Sequence, residues 1–209
     1  MYWKSGMNNK AAVFEKTYQD YLSRLKGLDL SKVSARLGLN RSGDQVLIPF
    51  LGTVYRVSSA GVFSPEGQQA GFTQSVVMFK YIMMCPENET LDSQWVAYHS
   101  FKDALPLLGY FAREATGPIE DCFSGRVTPL EAAGKKRGGS VVTDTAAYDL
   151  SMTFEVLPKI PLFLRFNDMD KDFPAQCTIL FKSSAELYLD MESLGMLGTL
   201  FTKDLIAGA

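Results

Sequence analysis

The sequence contains one imidazole, His99, so any chemistry that needs two histidines is excluded. As a general base, His99 would need a carboxylate to orient it, and Asp103 is its neighbour in sequence only. As an axial ligand to a haem or corrinoid it would need an apolar pocket, which nine methionines and fourteen phenylalanines could line. Those residues serve equally well as ordinary core, and a lone histidine reads first as a structural or surface residue. Two further positions carry charge where apolar residues dominate. Asp149 and Arg165 fall in runs 148–157 and 160–166, which otherwise alternate as strands. A charge buried there without a partner would be costly. The pair is therefore expected to face solvent, to bridge each other, or to meet a ligand. His99, Asp149 and Arg165 are the candidate ligand-binding residues, and no set of residues completes a catalytic constellation.

Other stretches resemble chemical motifs and fail at a required position. Asn167 to Asp172 alternates acids, but an EF-hand begun at Asp168 needs glycine where Phe173 stands and glutamate where Ile179 stands. A hairpin turn accounts for these acids. Gly134-Lys135-Lys136-Arg137-Gly138-Gly139-Ser140 looks like a phosphate cradle, yet Ser140 occupies the place of the P-loop lysine. The stretch also follows a helix, where the dipole repels anions. A charged helix end with a glycine stop is the simpler reading. Cys85, Cys122 and Cys177 are widely spaced without a CxxC pair, so a self-contained zinc or iron–sulphur site is excluded. Their odd number suits a reducing compartment.

The elements that must position these residues follow from apolar spacing. Phe14, Tyr18, Tyr21, Leu22 and Leu25 form one helical stripe, with Asn8 or Asn9 as cap and Gly27 as stop. Leu30, Val33 and Leu37 predict a second helix ending at Gly38, which makes an N-terminal helical pair. Val46, Ile48 and Phe50 alternate, Leu51-Gly52-Thr53 can turn, and 54–57 returns. Ser64-Pro65-Glu66-Gly67 is a turn. A helix from Thr73 to about Met84 is apolar almost all round and so buried. Within residues 91–146, 99–110 suits a strand followed by a helix, although Pro106 disturbs any single reading, and a short helix capped by Thr128 follows with Pro129 in its first turn. Strands then occupy 148–157, 160–166 and 176–181. In Leu157-Pro158-Lys159-Ile160-Pro161 the prolines suit an edge, a bulge or a crossing between sheets. Ser183 and Glu186 have capping-box spacing before a helix carrying Leu187, Met191 and Leu194. Strands grouped between helices predict an α+β fold with a mostly antiparallel sheet packed with helices.

The 209 residues, 46% hydrophobic and 21% charged, are ordinary globular composition and suffice for one core. We expect one domain over 1–209, with 1–42 a helical annex and 43–200 the α+β body. A formal charge of −2 argues against a nucleic-acid binder. No apolar run approaches the roughly 20 residues that span a bilayer, and no signal peptide is visible, so a cytoplasmic location is expected. Residues 1–6 read as an upstream start or added residues, with Met7 an alternative initiator.

The run Tyr148-Asp149-Leu150, LPKIP (157–161), LRFNDMDKDFPA (164–175), ILFKSSAELYL (179–189) and MESLGMLG (191–198) resembles an uncharacterised family, domain of unknown function 3786. The likeness covers roughly residues 40–200. It implies a cytoplasmic protein of anaerobic bacteria or archaea with no activity to carry over. Some members carry an N-terminal cysteine-rich iron–sulphur module, which this chain lacks. A cluster-dependent role would therefore require an iron–sulphur or corrinoid-related partner protein. The expectation is a non-catalytic accessory protein of anaerobic metabolism that binds a small ligand or a partner. The alternative is a cofactor-handling protein or enzyme that uses His99 on a tetrapyrrole, a corrinoid or a small anionic ligand.

Overall fold

The N-terminal stripe forms α1 (Trp3–Lys26) in the computed structural model, which describes residues 3–88, 94–143 and 148–209. Tyr18, Leu22 and Leu25 are buried, and Phe14 stacks on Phe72 with ring centroids 4.5 Å apart. The helix begins before Asn8 and Asn9, so neither is its cap. α2 (Leu30–Leu37) is capped by Asp29, whose carboxylate accepts the N–H groups of Ser31 and Lys32. It stops at Gly38, which takes the left-handed conformation at φ +68°.

A first antiparallel sheet follows in chain order: β1 (Asn40–Ser42), β2 (Gln45–Phe50), β3 (Thr53–Ser58) and β4 (Gly61–Phe63). Val46, Ile48 and Phe50 are buried, as their alternation predicts. Leu51 and Gly52 both have positive φ (48° and 76°), the two-residue turn whose twist matches a hairpin. The Pro65 turn closes with Gly67 N–H on the Ser64 carbonyl at 3.0 Å. α3 (Phe72–Met83) starts after Gly71, whose N–H is taken by the Gln74 Oε1 at 3.1 Å. Thr73 therefore lies inside the first turn and is not the cap. Val76 to Phe79, Tyr81 and Ile82 are buried, as expected of a helix without a polar face.

The second sheet has the order β5-β9-β8-β7-β6 and is also antiparallel throughout. Its members are β5 (Trp95–Ala97), β6 (Ser140–Val141), β7 (Leu150–Leu157), β8 (Ile160–Asn167) and β9 (Gln176–Lys182). The register shifts between Glu155 and Leu157, which is the bulge that LPKIP suits. β9 pairing starts at Leu162, so Pro161 has no ladder partner to disappoint on that side. Between β5 and β6 run a 3₁₀ turn (Tyr98–Ser100) and then α4 (Leu108–Phe111), a π turn (Ala112–Thr116), α5 (Gly117–Phe123) and α6 (Val127–Lys136). The π turn has a local cause. Pro118 has no N–H and its ring would strike the carbonyl four residues back, so the preceding turn widens and Gly117 N–H bonds to the Ala112 oxygen. α6 begins one residue before Thr128, which removes that residue as cap.

A 3₁₀ turn (Ser183–Leu187) precedes the final helix, α7 (Met191–Ala207). Ser183 still belongs to the sheet margin, its N–H donating to the Gln94 carbonyl, so the capping box does not form there. Asp190 is the cap and accepts Ser193 N–H at 2.9 Å. α7 packs between α3, the π turn and the inner face of the second sheet, in one continuous core from Tyr18 to Leu205. The two sheets join where Leu51 N–H donates to the Val156 carbonyl at 3.1 Å. The fold is α+β with antiparallel sheets and an N-terminal helical pair. No helix among the described residues is long and apolar enough to cross a membrane.

Lys80 of α3 reaches the Asp190 carboxylate at 2.7 Å and so ties α3 to the start of α7. Burial raises the Asp190 carboxyl, but the Lys80 ammonium and the Ser193 donors outweigh it and hold it below its usual range. A carboxyl lowered by folding stabilises at neutral pH, and that contribution disappears as pH falls through its folded value. Asp190→Ala should cost about 1–2 kcal/mol in urea unfolding at pH 7. The difference from wild type should shrink in acid.

Candidate functional site

Residues of the second sheet divide by parity. Leu150, Met152, Phe154, Leu162, Leu164, Phe166, Ile179 and Phe181 face the core and are buried. The opposite parity brings Arg165 between Ser151 of β7 and Thr178 of β9, with Phe163 one rung further along. Trp95 pairs with Lys182 at the β5 edge. On this outer face cations and rings alternate. Lys182 lies 4.3 Å from the Trp95 ring centre, and Trp95 and Phe163 are 5.4 Å apart. The Arg165 guanidinium lies 4.7 Å from Phe163 and 4.9 Å from Tyr148. The row Lys182–Trp95–Phe163–Arg165–Tyr148 crosses the sheet.

Arg165 is half-buried, and its Nε is sealed from solvent without an acceptor. Among the described residues, no carboxylate forms an ion pair with it. Two aromatic faces compensate a guanidinium only partly, at about 0.5–2 kcal/mol each. They also restrain its plane, which presents the terminal nitrogens as an oriented fork.

Asp149 does not lie within a strand. It occupies the bend before Leu150, is exposed, and accepts Asp168 N–H at 2.7 Å. Of the alternatives for the pair, Asp149 takes the solvent face and forms no ion pair with Arg165 among the described residues, because its carboxylate holds the far end of β8. Asp168 accepts Gly125 N–H at 2.6 Å and Met169 N–H at 2.8 Å. Asp170 accepts the N–H groups of Asp172 and Phe173, both at 2.8 Å. These acids thus hold a turn that walls an open hollow of about 850 Å³, shared with Val127, Asn167 and Gln176. No group of three or more His, Cys, Asp or Glu among the described residues is placed to hold a metal ion.

His99 is exposed on the 3₁₀ turn after β5, beside a hollow of about 230 Å³ lined by Phe111, Thr116, Cys177 and Thr178. That volume falls short of the roughly 300–1,000 Å³ usual for small-molecule sites. No hydrogen bond or ion pair orients its imidazole among the described residues, and Asp103 does not approach it. The three thiols are free; burial pushes those of Cys85 and Cys177 up, the opposite of activation.

The glycine-rich stretch is structural. A Cβ on Gly134 would come within 2.7 Å of the Met152 methyl, and one on Gly139 would strike the Phe154 ring. Lys136 donates to the Gly208 carbonyl at 3.0 Å and Arg137 to that of Asp204 at 2.9 Å, so two of its cations cap the end of α7. The aromatic row escaped sequence reasoning because Trp95, Tyr148 and Phe163 lie far apart along the chain. The available signal was the shared parity of Phe163 and Arg165 within β8.

If the turn acids serve backbone N–H groups, Asp168→Ala should cost about 0.5–1.5 kcal/mol, because it removes hydrogen bonds whose donors water can reach. Millimolar calcium should leave the thermal midpoint of the wild type unchanged in a calorimetric scan.

No curated protein and no solved structure matches this chain. A family match spans residues 29–204 and takes in both sheets, most of α7 and all three candidate residues. The chain belongs to the family described as domain of unknown function (DUF3786).

Proposed function

We propose that this protein is a non-catalytic binding protein that holds a small anion, a carboxylate or phosphate group, on the outer face of its five-stranded sheet. The observation that carries the reading is Arg165: half-buried, stacked between Tyr148 and Phe163, with an orphaned Nε and no carboxylate partner among the described residues. A guanidinium fork held rigid and unpaired is preorganised for bidentate recognition of a planar or tetrahedral anion. Ser151 and Thr178 flank it on the same rung.

The reading takes 1–209 as one domain, with the helical annex fastened to the body by Tyr18 and Tyr21 on Phe79. It places the protein in the cytoplasm as an accessory of anaerobic metabolism, whose partner supplies any iron–sulphur or corrinoid chemistry. A tetrapyrrole or corrinoid role for His99 has less support, since its hollow is small and its imidazole unoriented.

Titration of the full chain with inorganic phosphate and with acetate, followed by calorimetry, tests the proposal. Charge-assisted hydrogen bonds of about 1.5–3 kcal/mol predict at least a tenfold loss of affinity in Arg165→Gln. Arg165→Lys should weaken binding as well, because an ammonium cannot reproduce the fork. Equal affinity in wild type and Arg165→Gln, or no uptake of either anion, overturns the reading.

A further inference from the structure

Another hollow, of about 330 Å³, opens between the β2–β3 hairpin, the first turn of α3 and the last turns of α7. Its floor is apolar, formed by Phe50, Leu51 and Leu200, and its walls carry Tyr55, Gln74 and Asp204. The floor is held firmly. Leu51 sits at φ +48° in the tight hairpin turn, and its N–H is anchored on Val156 of the other sheet. Gln74 is oriented too: its Oε1 accepts Gly71 N–H at 3.1 Å, which directs its Nε2 to the Tyr55 hydroxyl at 3.5 Å.

Asp204 is the anionic member. Arg137 gives its shorter bond, 2.9 Å, to the Asp204 main-chain carbonyl and approaches the carboxylate Oδ2 only at 3.4 Å. No hydrogen bond among the described residues reaches Oδ1. Burial holds this carboxyl above its usual range, with Arg137 offsetting part of the effect. Burial, with the charges of Glu66 and Asp204, also pushes the Tyr55 phenol up. Both groups thus sit where burial, rather than water, sets their surroundings. Lys203 lines the mouth, but its side chain is exposed.

We propose that this hollow binds a small organic ammonium, its N–H groups donating to Asp204 Oδ1 and the Tyr55 hydroxyl while its carbon chain lies on Leu51 and Leu200. The site is separate from the Arg165 face and does not depend on the anion reading. Butylammonium is a suitable probe and 1-butanol its uncharged counterpart, each titrated into the ¹⁵N-labelled full chain near neutral pH. Saturable amide shifts confined to residues 51–55 and 200–204 are expected with butylammonium, with butanol at least tenfold weaker. Asp204→Asn should raise the dissociation constant at least tenfold and Tyr55→Phe about threefold, while Arg165→Gln leaves it unchanged. The Tyr55→Phe variant keeps the Arg137 pair, so it remains informative if Asp204→Asn fails to fold. Absence of shifts at these amides, equal binding of butanol, or wild-type affinity in either pocket variant overturns the proposal.

Discussion

The close approach of α7 to the π turn organises the rest of the molecule. Gly198 sits where a Cβ would come within 2.7 Å of the Phe111 ring, so any larger residue would force the ring or the helix to shift. Ala115, with its carbonyl oxygen, lies within the π turn that precedes Pro118. Thr202 of α7 donates its hydroxyl to that oxygen at 2.7 Å, in the buried interior. A side chain of α7 is thereby hydrogen-bonded to the backbone of the π turn across a buried seam. Tyr110 and Thr199 add a second polar contact across the same seam at 3.1 Å. With α7 seated in this way, Phe201 packs on Phe154 of β7 at 4.8 Å, over the buried residues of the second sheet's inner face.

Polar chemistry is consequently displaced to the outer parity of the sheet and to the ends of the packed helices. Arg165 shows why this matters. A lysine there would be a hydrated point charge on a flexible stem, whereas the planar guanidinium stacks on Phe163 and Tyr148 and stays oriented. The same logic governs the far end of α7. Lys136 and Arg137 satisfy its terminal carbonyls, and Asp204 is left with an incomplete ion pair at the wall of a hollow.

Much of the fold was legible in the sequence wherever periodicity and turn chemistry agree. The β2–β3 hairpin, the buried α3 and the Gly38 stop all follow from local residue patterns, and the register shift between Glu155 and Leu157 is one of the three outcomes that the LPKIP prolines allow. β1 and β4 were not legible, since three residues are too few for an alternation to register. Residues 183–186 mislead because capping-box spacing carries no knowledge that Ser183 still bonds to the sheet margin. Gly134 and Gly139 imitate a phosphate loop for a similar reason: the Phe154 ring that requires them lies outside any local window. Arg165 stood out as a charge in an apolar strand. What makes it a candidate site, the rings of Trp95, Phe163 and Tyr148 and the missing counter-charge, is tertiary. Asp149 was singled out on the same grounds and proves to hold a turn.

The central claim is that the Arg165 fork is an anion receptor. Crystals of the full chain grown with selenate, measured at the selenium absorption edge, test it directly. The account predicts an anomalous peak within hydrogen-bonding distance of the Arg165 terminal nitrogens that disappears in Arg165→Gln. The absence of a peak there, or one that survives the substitution, would contradict it.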